Sequence, residues 1–379
     1  MHPPLSPATL PSNTPSSDTR MTFAFEPSGD PVAANERAQR LIDPGFGRVF
    51  TDHMAVIRFS DAEGWHDAKI TKRAPSMMDP ASSVLHYAQE IFEGMKAYRL
   101  ADGGTGLFRP EANARRFQHS ARRLAMPELP EDLFLESVER LVRTDKDWIP
   151  ESDGGALYLR PFMFASEVFL GVKPSAEYLY MVLASSVGAY FKGGASAVSI
   201  WVSQNYTRAA QGGTGAAKCG GNYAASLLAQ KEAISQGCDQ VVFLDAVERR
   251  WVEELGGMNV FFVFDDGSRS TPALTGTILP GITRDSILTL ARAQGIVVRE
   301  EPYSIDQWRA DAASGRLIEA FACGTAAVVT PIGTVAAPEG RFTIGGGQPG
   351  AMTLRIRDSL VAIQRGQAPD DNGWLHRLD

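Results

Sequence analysis

Hydrophobic positions along the chain follow two different periods. Residues 48–59 (RVFTDHMAVIRF) are dense in β-branched and aromatic side chains and run into the turn-forming Asp61, Ala62, Glu63 and Gly64, which predicts a strand. Helical spacing predicts amphipathic helices over 84–95 and 111–125, with a short strand near 106–109 between them. Over 133–147 Leu133, Val138, Leu141 and Val142 share one helical face, and Pro150 marks the stop. Residues 156–164 and 177–187 read as strands, the second apolar enough to be buried on both faces. Beyond residue 198, strands are expected at 199–204, 240–245, 251–255, 258–265 and 316–323, and helices at 222–236, 281–294 and 352–365. Gly237 is placed to cap the first of these helices, and Asp265, Asp266 and Gly267 to form a hairpin turn. The fold class is mixed α/β (α+β), without the regular strand and helix alternation of a doubly wound sheet.

A length of 379 residues suggests about two domains. The glycine-rich stretch VGAYFKGGAS (187–196) is the natural place to divide them. The expected organisation is a flexible Pro/Ser/Thr-rich tail at 1–20, a smaller domain at 21–188, a linker at 189–201 and a larger domain at 202–379. Met21 is an alternative start. Hydrophobic residues at 44% and charged residues at 21% are ordinary globular values, so a sizeable core can form. With 37 basic against 44 acidic residues, the net charge of −7 opposes binding to nucleic acid or an anionic bilayer. Cys219, Cys238 and Cys323 form no C-x-x-C pair, and the histidines have no metal-ligand spacing, so neither a disulfide framework nor a metal site is expected. No apolar run approaches the ~18 residues of a membrane span, and the first residues lack the blocks of a secretory signal. The expected location is cytoplasmic.

The most informative segment is 212–223, GGTGAAKCGGNY, where Lys218 sits among Gly212, Gly213, Gly215, Gly220 and Gly221. A Walker A loop needs Gly before the lysine and Ser or Thr after it; Ala217 and Cys219 stand there instead. The dinucleotide fingerprint G-x-G-x-x-G fits Gly213 and Gly215 but then meets Lys218. What remains is a lysine whose neighbours leave room for a bulky planar ligand, which suits Schiff-base chemistry if the amine is desolvated. A solvated loop lysine fits the glycines as well.

Together with LHYAQEIFEGMKAYR (85–99), LYLRP (157–161), VGAYF (187–191), EELGGMN (253–259), TILPGITR (277–284) and CGTAA (323–327), this segment resembles the branched-chain amino acid aminotransferases. The match runs in consistent order over about residues 45–365. The resemblance implies a pyridoxal 5'-phosphate enzyme of fold type IV, with a smaller N-terminal α/β domain and a larger C-terminal domain containing a barrel-like sheet. It also implies a homodimer that exchanges amino groups between leucine, isoleucine or valine and 2-oxoglutarate by a ping-pong mechanism, yielding branched-chain 2-oxo acids and L-glutamate.

By the same resemblance, Lys218 is the Schiff-base lysine and proton carrier, Glu254 faces the pyridine nitrogen, and Tyr223 bonds the 3′ oxygen. Arg116, the N–H groups of Ile282 and Thr283 at a helix start, and Thr325 match the phosphate site, with Arg208 a second cation near it. Phe46, Phe92, Tyr158, Tyr190, Met258 and Ala326 match the substrate pocket. Arg160 matches a group for the distal carboxylate of glutamate, and Tyr87, Leu170 and Val172 match residues reaching in from the other subunit. Without the resemblance, each of these has an ordinary packing or surface role. Mammalian members carry a C-x-x-C pair after the GTA motif; Ala327 and Thr330 stand here, so thiol redox regulation is not expected. The alternatives are a D-amino acid aminotransferase or aminodeoxychorismate lyase of the same fold, and a non-catalytic phosphometabolite-binding protein. The length of the N-terminal half and its motifs favour the branched-chain reading over the first, and Lys218 argues against the last.

Overall fold

A computed structural model describes residues 21–152, 154–188 and 196–378. The strand-forming segments of the first half build one sheet from β1 (Ala24–Phe25), β2 (Val49–Phe50), β3 (His53–Ser60), β4 (Gly64–Lys72), β5 (Glu90–Phe92), β6 (Met95–Arg99), β7 (Thr105–Phe108), β8 (Ala156–Ala165) and β9 (Glu177–Val187). Its spine, β4-β3-β9-β8-β6-β7, is antiparallel, with β2 added to β9 and β5 to β8. The short α1 (Ala34–Leu41) and α2 (Val84–Tyr87) bury no residue of their own. In contrast, α3 (Pro110–Arg123) and α4 (Glu131–Thr144) cover one face of the sheet. Phe117, Phe134, Val138 and Leu141 pack there on Ile57, Leu159 and Tyr180. Truncating either phenylalanine to alanine would cost about 3–5 kcal/mol, because the cavity cannot collapse between sheet and helices.

The second half forms another sheet from β10 (Val198–Ser203), β11 (Gln240–Leu244), β12 (Val252–Leu255), β13 (Asn259–Phe264), β14 (Arg269–Thr271), β15 (Val298–Glu300), β16 (Leu317–Gly324), β17 (Val328–Ala337) and β18 (Gly340–Thr343). The order is β12-β11-β10-β17-β16-β13-β14-β15, with β18 on β17, and the sheet curls into a half-barrel. It is covered by α5 (Gly220–Ser235), α6 (Ile282–Ala293), α7 (Ile305–Ser314) and α8 (Ala351–Gln364). Both faces are therefore apolar, and all of β13 is buried. Finally β19 (Leu375–Arg377) returns to pair with β7 of the first sheet.

The mixed α/β class agrees with the sequence reading, but some details differ. The expected helix over 84–95 stops at Tyr87, because Ala88 turns left-handed (φ 50°) and the chain continues as β5 and β6. Strand β17, missed in the sequence, contains Pro331 and Gly333, which read against a central strand, yet it pairs with β10 and β16. Helix α7 and strand β4 were also not anticipated. Of the expected linker, 189–195 lies outside the described residues, and 198–201 belongs to β10. The return of β19 places part of the 202–379 segment in the first sheet.

Candidate active site

The loop between β10 and α5 is closed on itself before it presents its lysine. Asn222 Nδ2 donates to the carbonyls of Thr214 (2.8 Å) and Ala217 (2.9 Å), while Thr214 Oγ1 donates to Asn222 Oδ1 (2.6 Å). Gly215 passes so close to the Thr277 carbonyl that a Cβ would lie 2.3 Å from its oxygen, so only glycine fits. The first half of the chain then holds Lys218 by its backbone: its N–H donates to Ser120 Oγ on α3 (2.9 Å), and its carbonyl accepts from the Phe92 N–H of β5 (2.9 Å).

The Lys218 amine projects into a cavity of about 290 Å³ between the two halves. Nζ donates to the Tyr223 hydroxyl (2.8 Å) and lies 4.8 Å from the centre of the Phe92 ring. Burial, reinforced by the Arg116 charge, pushes the amine down to about 8. Burial, followed by the negative charge of Glu254, pushes the Tyr223 phenol up to about 12, which keeps it a hydrogen-bond donor. Glu254 on β12 is buried, and its Oε2 accepts from the Leu279 N–H (3.0 Å) and pairs with Arg208 (3.2 Å). Burial raises this carboxyl, and Arg208 is the largest opposing influence.

The same cavity collects donors for an anion. Arg116 lies near the start of α6, donating from Nη1 to the Pro280 carbonyl (3.2 Å). Ile282 and Thr283 open α6, where the first N–H groups of a helix lack intrahelical partners. Thr325 and Ala326, in the turn between β16 and β17, line the cavity nearby.

Of the residues that the resemblance named, Phe46, Phe92, Arg116, Tyr158, Arg160, Lys218, Tyr223, Glu254, Met258, Ile282, Thr283, Thr325 and Ala326 line this cavity. Arg208 does not; its guanidinium is taken by Glu254 and by the carbonyls of Thr277 and Gly215, so it stands behind the carboxylate and away from the anion donors. Tyr87, Leu170 and Val172 lie exposed on the surface, with the Tyr87 hydroxyl donating to the Leu170 carbonyl. Tyr190 lies outside the described residues.

Sequence reasoning missed Glu93. Its carboxylate is fully buried and grips Arg116 with both oxygens, Nε to Oε1 (2.7 Å) and Nη2 to Oε2 (2.8 Å), with Asn113 Nδ2 adding a third donor (2.7 Å). Burial alone would raise this carboxyl; the Arg116 charge overrides it and holds it below the ordinary range. The available signal was a charged residue between Ile91, Phe92 and Met95, in a run otherwise apolar enough for a core strand. Gly94 was missed as well: a Cβ there would lie 2.3 Å from the Tyr158 hydroxyl oxygen.

A buried amine beside a phenol, a buried carboxylate and an anion cradle are the donor set that pyridoxal phosphate requires, and the residues present fit it. Residues 90–335 match the amino-transferase class IV family, and the chain belongs to that family. Within it, the chain is 56% identical to a probable branched-chain-amino-acid aminotransferase of Streptomyces coelicolor over 361 residues, covering 95% of this chain and 99% of the relative. It is 54% identical over 363 residues to the branched-chain-amino-acid aminotransferase of Mycolicibacterium smegmatis, with 95% and 99% coverage. Among solved structures, the branched-chain amino acid aminotransferase from Escherichia coli superposes with a TM-score of 0.70 at 30% identity, covering 86% of this chain and 99% of that one. Another branched-chain amino acid aminotransferase, solved with pyridoxamine 5'-phosphate, superposes with a TM-score of 0.71, also at 30% identity and with the same coverage of 86% and 99%.

Proposed function

We propose that the protein is a branched-chain amino acid aminotransferase. It uses pyridoxal 5'-phosphate to transfer the amino group of leucine, isoleucine or valine to 2-oxoglutarate, giving the branched-chain 2-oxo acid and L-glutamate. When bound, the cofactor supplies an aldehyde that holds amines covalently and a ring that accepts the electrons of the substrate Cα–H bond. Lys218 is the attachment point and the base that moves the Cα proton; a depressed amine can take up and release that proton near neutral pH. Glu254, whose ionised form Arg208 favours, would face the ring nitrogen, and Tyr223 gives the amine a hydroxyl partner. Arg116, held by Glu93, and the start of α6 bind the phosphate.

Phe46, Phe92, Tyr158 and Met258 supply the dispersion surface that an aliphatic side chain requires, at about 0.8 kcal/mol per methylene. Arg160 sits at the rim of this apolar patch, donating to the Tyr158 hydroxyl (2.9 Å) and lying 4.7 Å from the centre of the Phe92 ring. Its buried Nε has no acceptor among the described residues, which favours Arg160 as the partner of the second carboxylate of glutamate and 2-oxoglutarate.

The reading extends to a cytoplasmic homodimer. Leu85, Tyr87, Val168, Leu170 and Val172 form exposed apolar surface that a second copy would cover, consistent with Tyr87, Leu170 and Val172 serving the partner's site. No helix among the described residues is long and apolar enough to cross a membrane.

The observation that carries this reading is the Lys218 amine against Tyr223 inside a cavity shared with Glu254 and Arg116. Borohydride treatment of the holoprotein should fix the cofactor to the Lys218 peptide, seen by mass. L-Leucine should convert the bound aldehyde form to the amine form, and 2-oxoglutarate should restore it. A response to D-alanine in place of leucine would reassign the protein within the same fold, and absence of the modified peptide would refute the enzyme reading.

A further inference from the structure

A second cavity, of about 340 Å³, shares no lining residue with the one that receives the Lys218 amine. The division falls between neighbours: Glu253 and Ile278 line the second cavity, Glu254 and Leu279 the first. Adjacent side chains of a strand leave it on opposite faces, so β12 carries one carboxylate to each cavity. Glu253 is only 8% exposed. Its Oε1 accepts from Thr277 Oγ1 (2.6 Å), which is also hydrogen-bonded to Thr275 Oγ1 (2.9 Å), and its Oε2 has no hydrogen-bond partner among the described residues. No lysine or arginine forms an ion pair with it among those residues; Arg208 acts on it from further away, its guanidinium taken by Glu254 and by the carbonyls of Thr277 and Gly215. Burial raises the Glu253 carboxyl, and the hydrogen bond from Thr277 offsets only part of this. A desolvated carboxylate with a free oxygen and no counter-charge is costly, and a ligand that brings a positive charge and an N–H donor offsets the cost.

The rest of the lining decides the kind of cation. Trp251, Pro272, Ile278 and Pro302 supply apolar surface for a hydrocarbon body. The Arg250 guanidinium lies over the Trp251 ring, 4.9 Å from its centre, but Arg250 does not line the cavity. Asp245 and Glu248 add negative charge to the wall. Burial alone would raise Asp245; the N–H groups of Val247, Glu248, Arg250 and Trp251 donate to its two oxygens and hold it below the ordinary range. A ligand with its own carboxylate is repelled by these groups, so a zwitterionic amino acid fits poorly. We propose that this cavity is a second binding site, for a small aliphatic ammonium ion without a carboxylate, which donates to Glu253 and lays its hydrocarbon body against Trp251 and Pro302. The proposal goes beyond the aminotransferase reading and does not depend on it.

The probe is N,N-dimethyl-3-methylbutylamine, a tertiary amine that is protonated at neutral pH and cannot form an imine with an aldehyde cofactor. Its ether analogue, 1-methoxy-3-methylbutane, is the uncharged control. Both are titrated calorimetrically at neutral pH against the holoprotein, as wild type, Glu253→Gln and Ala273→Phe. Wild type should bind the ammonium at least tenfold more tightly than the ether, and Glu253→Gln should bind the two alike within twofold. Ala273→Phe, which fills part of the cavity from its lining, should weaken the ammonium at least tenfold. Saturating 4-methylvaleric acid, offered as an occupant of the Lys218 cavity, should leave the ammonium affinity unchanged within twofold. Wild type that does not distinguish ammonium from ether, undiminished ammonium binding by Glu253→Gln, or displacement by 4-methylvaleric acid would overturn the assignment. If Glu253→Gln loses its cooperative melt, Ala273→Phe decides in its place: tenfold weakening supports the site and undiminished binding overturns it. Borohydride fixation of the cofactor on Lys218 is measured separately, and its absence would refute the aminotransferase reading while the titrations still decide the second site.

Discussion

Arg208 and Glu254 form an ion pair 3.2 Å apart at the cavity wall, with side chains only 3% and 1% exposed. Burial raises the Glu254 carboxyl, and Arg208 is the largest influence favouring its ionised form. Glu254→Gln should lower kcat about 100-fold and Arg208→Met at least tenfold, since one removes the charge and the other its support. The double variant should be no slower than Glu254→Gln alone, a non-additivity that a double-mutant cycle measures directly. Breaking the pair from either side should also cost about 3–5 kcal/mol of stability, read from denaturant melts.

The Lys218 amine at about 8 lies well below the ordinary lysine value of 10.5. A lowered value means the proton is lost at lower pH, so the free amine needed to capture the cofactor aldehyde accumulates as pH rises through about 8. The rate at which apoprotein takes up pyridoxal phosphate should follow a rising limb centred near there; a limb near 10.5 would mean that the cavity does not desolvate the amine. Lys218→Ala should abolish turnover while keeping the circular dichroism of the wild type.

Glu93 orients Arg116 through two bonds and also accepts from Asn113. Glu93→Gln keeps the shape but removes the charge, leaving Arg116 buried with no carboxylate in contact. Loss of a buried partner predicts destabilisation of about 3–5 kcal/mol. It also predicts faster release of cofactor on dialysis, measured by residual absorbance, with the kcat of the fully loaded fraction little changed.

On the proposed reading, Arg160 would distinguish the two substrates of the cycle. Arg160→Met should raise KM for 2-oxoglutarate about 100-fold, the scale of a lost charge-assisted hydrogen bond plus its unpaired partner, while leucine is nearly unaffected. Gly94→Ala should impair both half-reactions, because the new methyl would sit 2.3 Å from the Tyr158 hydroxyl oxygen and displace the ring that supports Arg160. Single-turnover absorbance with each amino donor separates the two effects.

The sequence revealed most of the long elements. Helix α4 and strand β9 could be placed because their periods are unbroken and their ends carry Pro150 and glycine-rich signals. The cavity lining emerged from the resemblance and not from periodicity, since Tyr223, Met258 and Phe92 look like core residues until tertiary structure brings β5, the turn between β12 and β13, and α5 together. Three features were hidden because they depend on contacts between distant segments. They are the left-handed Ala88 that ends α2, the Glu93 carboxylate that only Arg116 makes tolerable, and the retreat of Arg208 behind Glu254.

Strand β19 pairs with β7, which leads directly into the helix bearing Arg116, and His376 of β19 contacts Glu111 at the start of that helix from 265 positions away (3.0 Å). Closing so long a stretch of chain is slow relative to forming local helices and hairpins. Secondary structure should therefore recover early in refolding, while cofactor capture waits for the far end of the chain to dock. The delay between the far-ultraviolet signal and cofactor absorbance would time the assembly of the anion cradle.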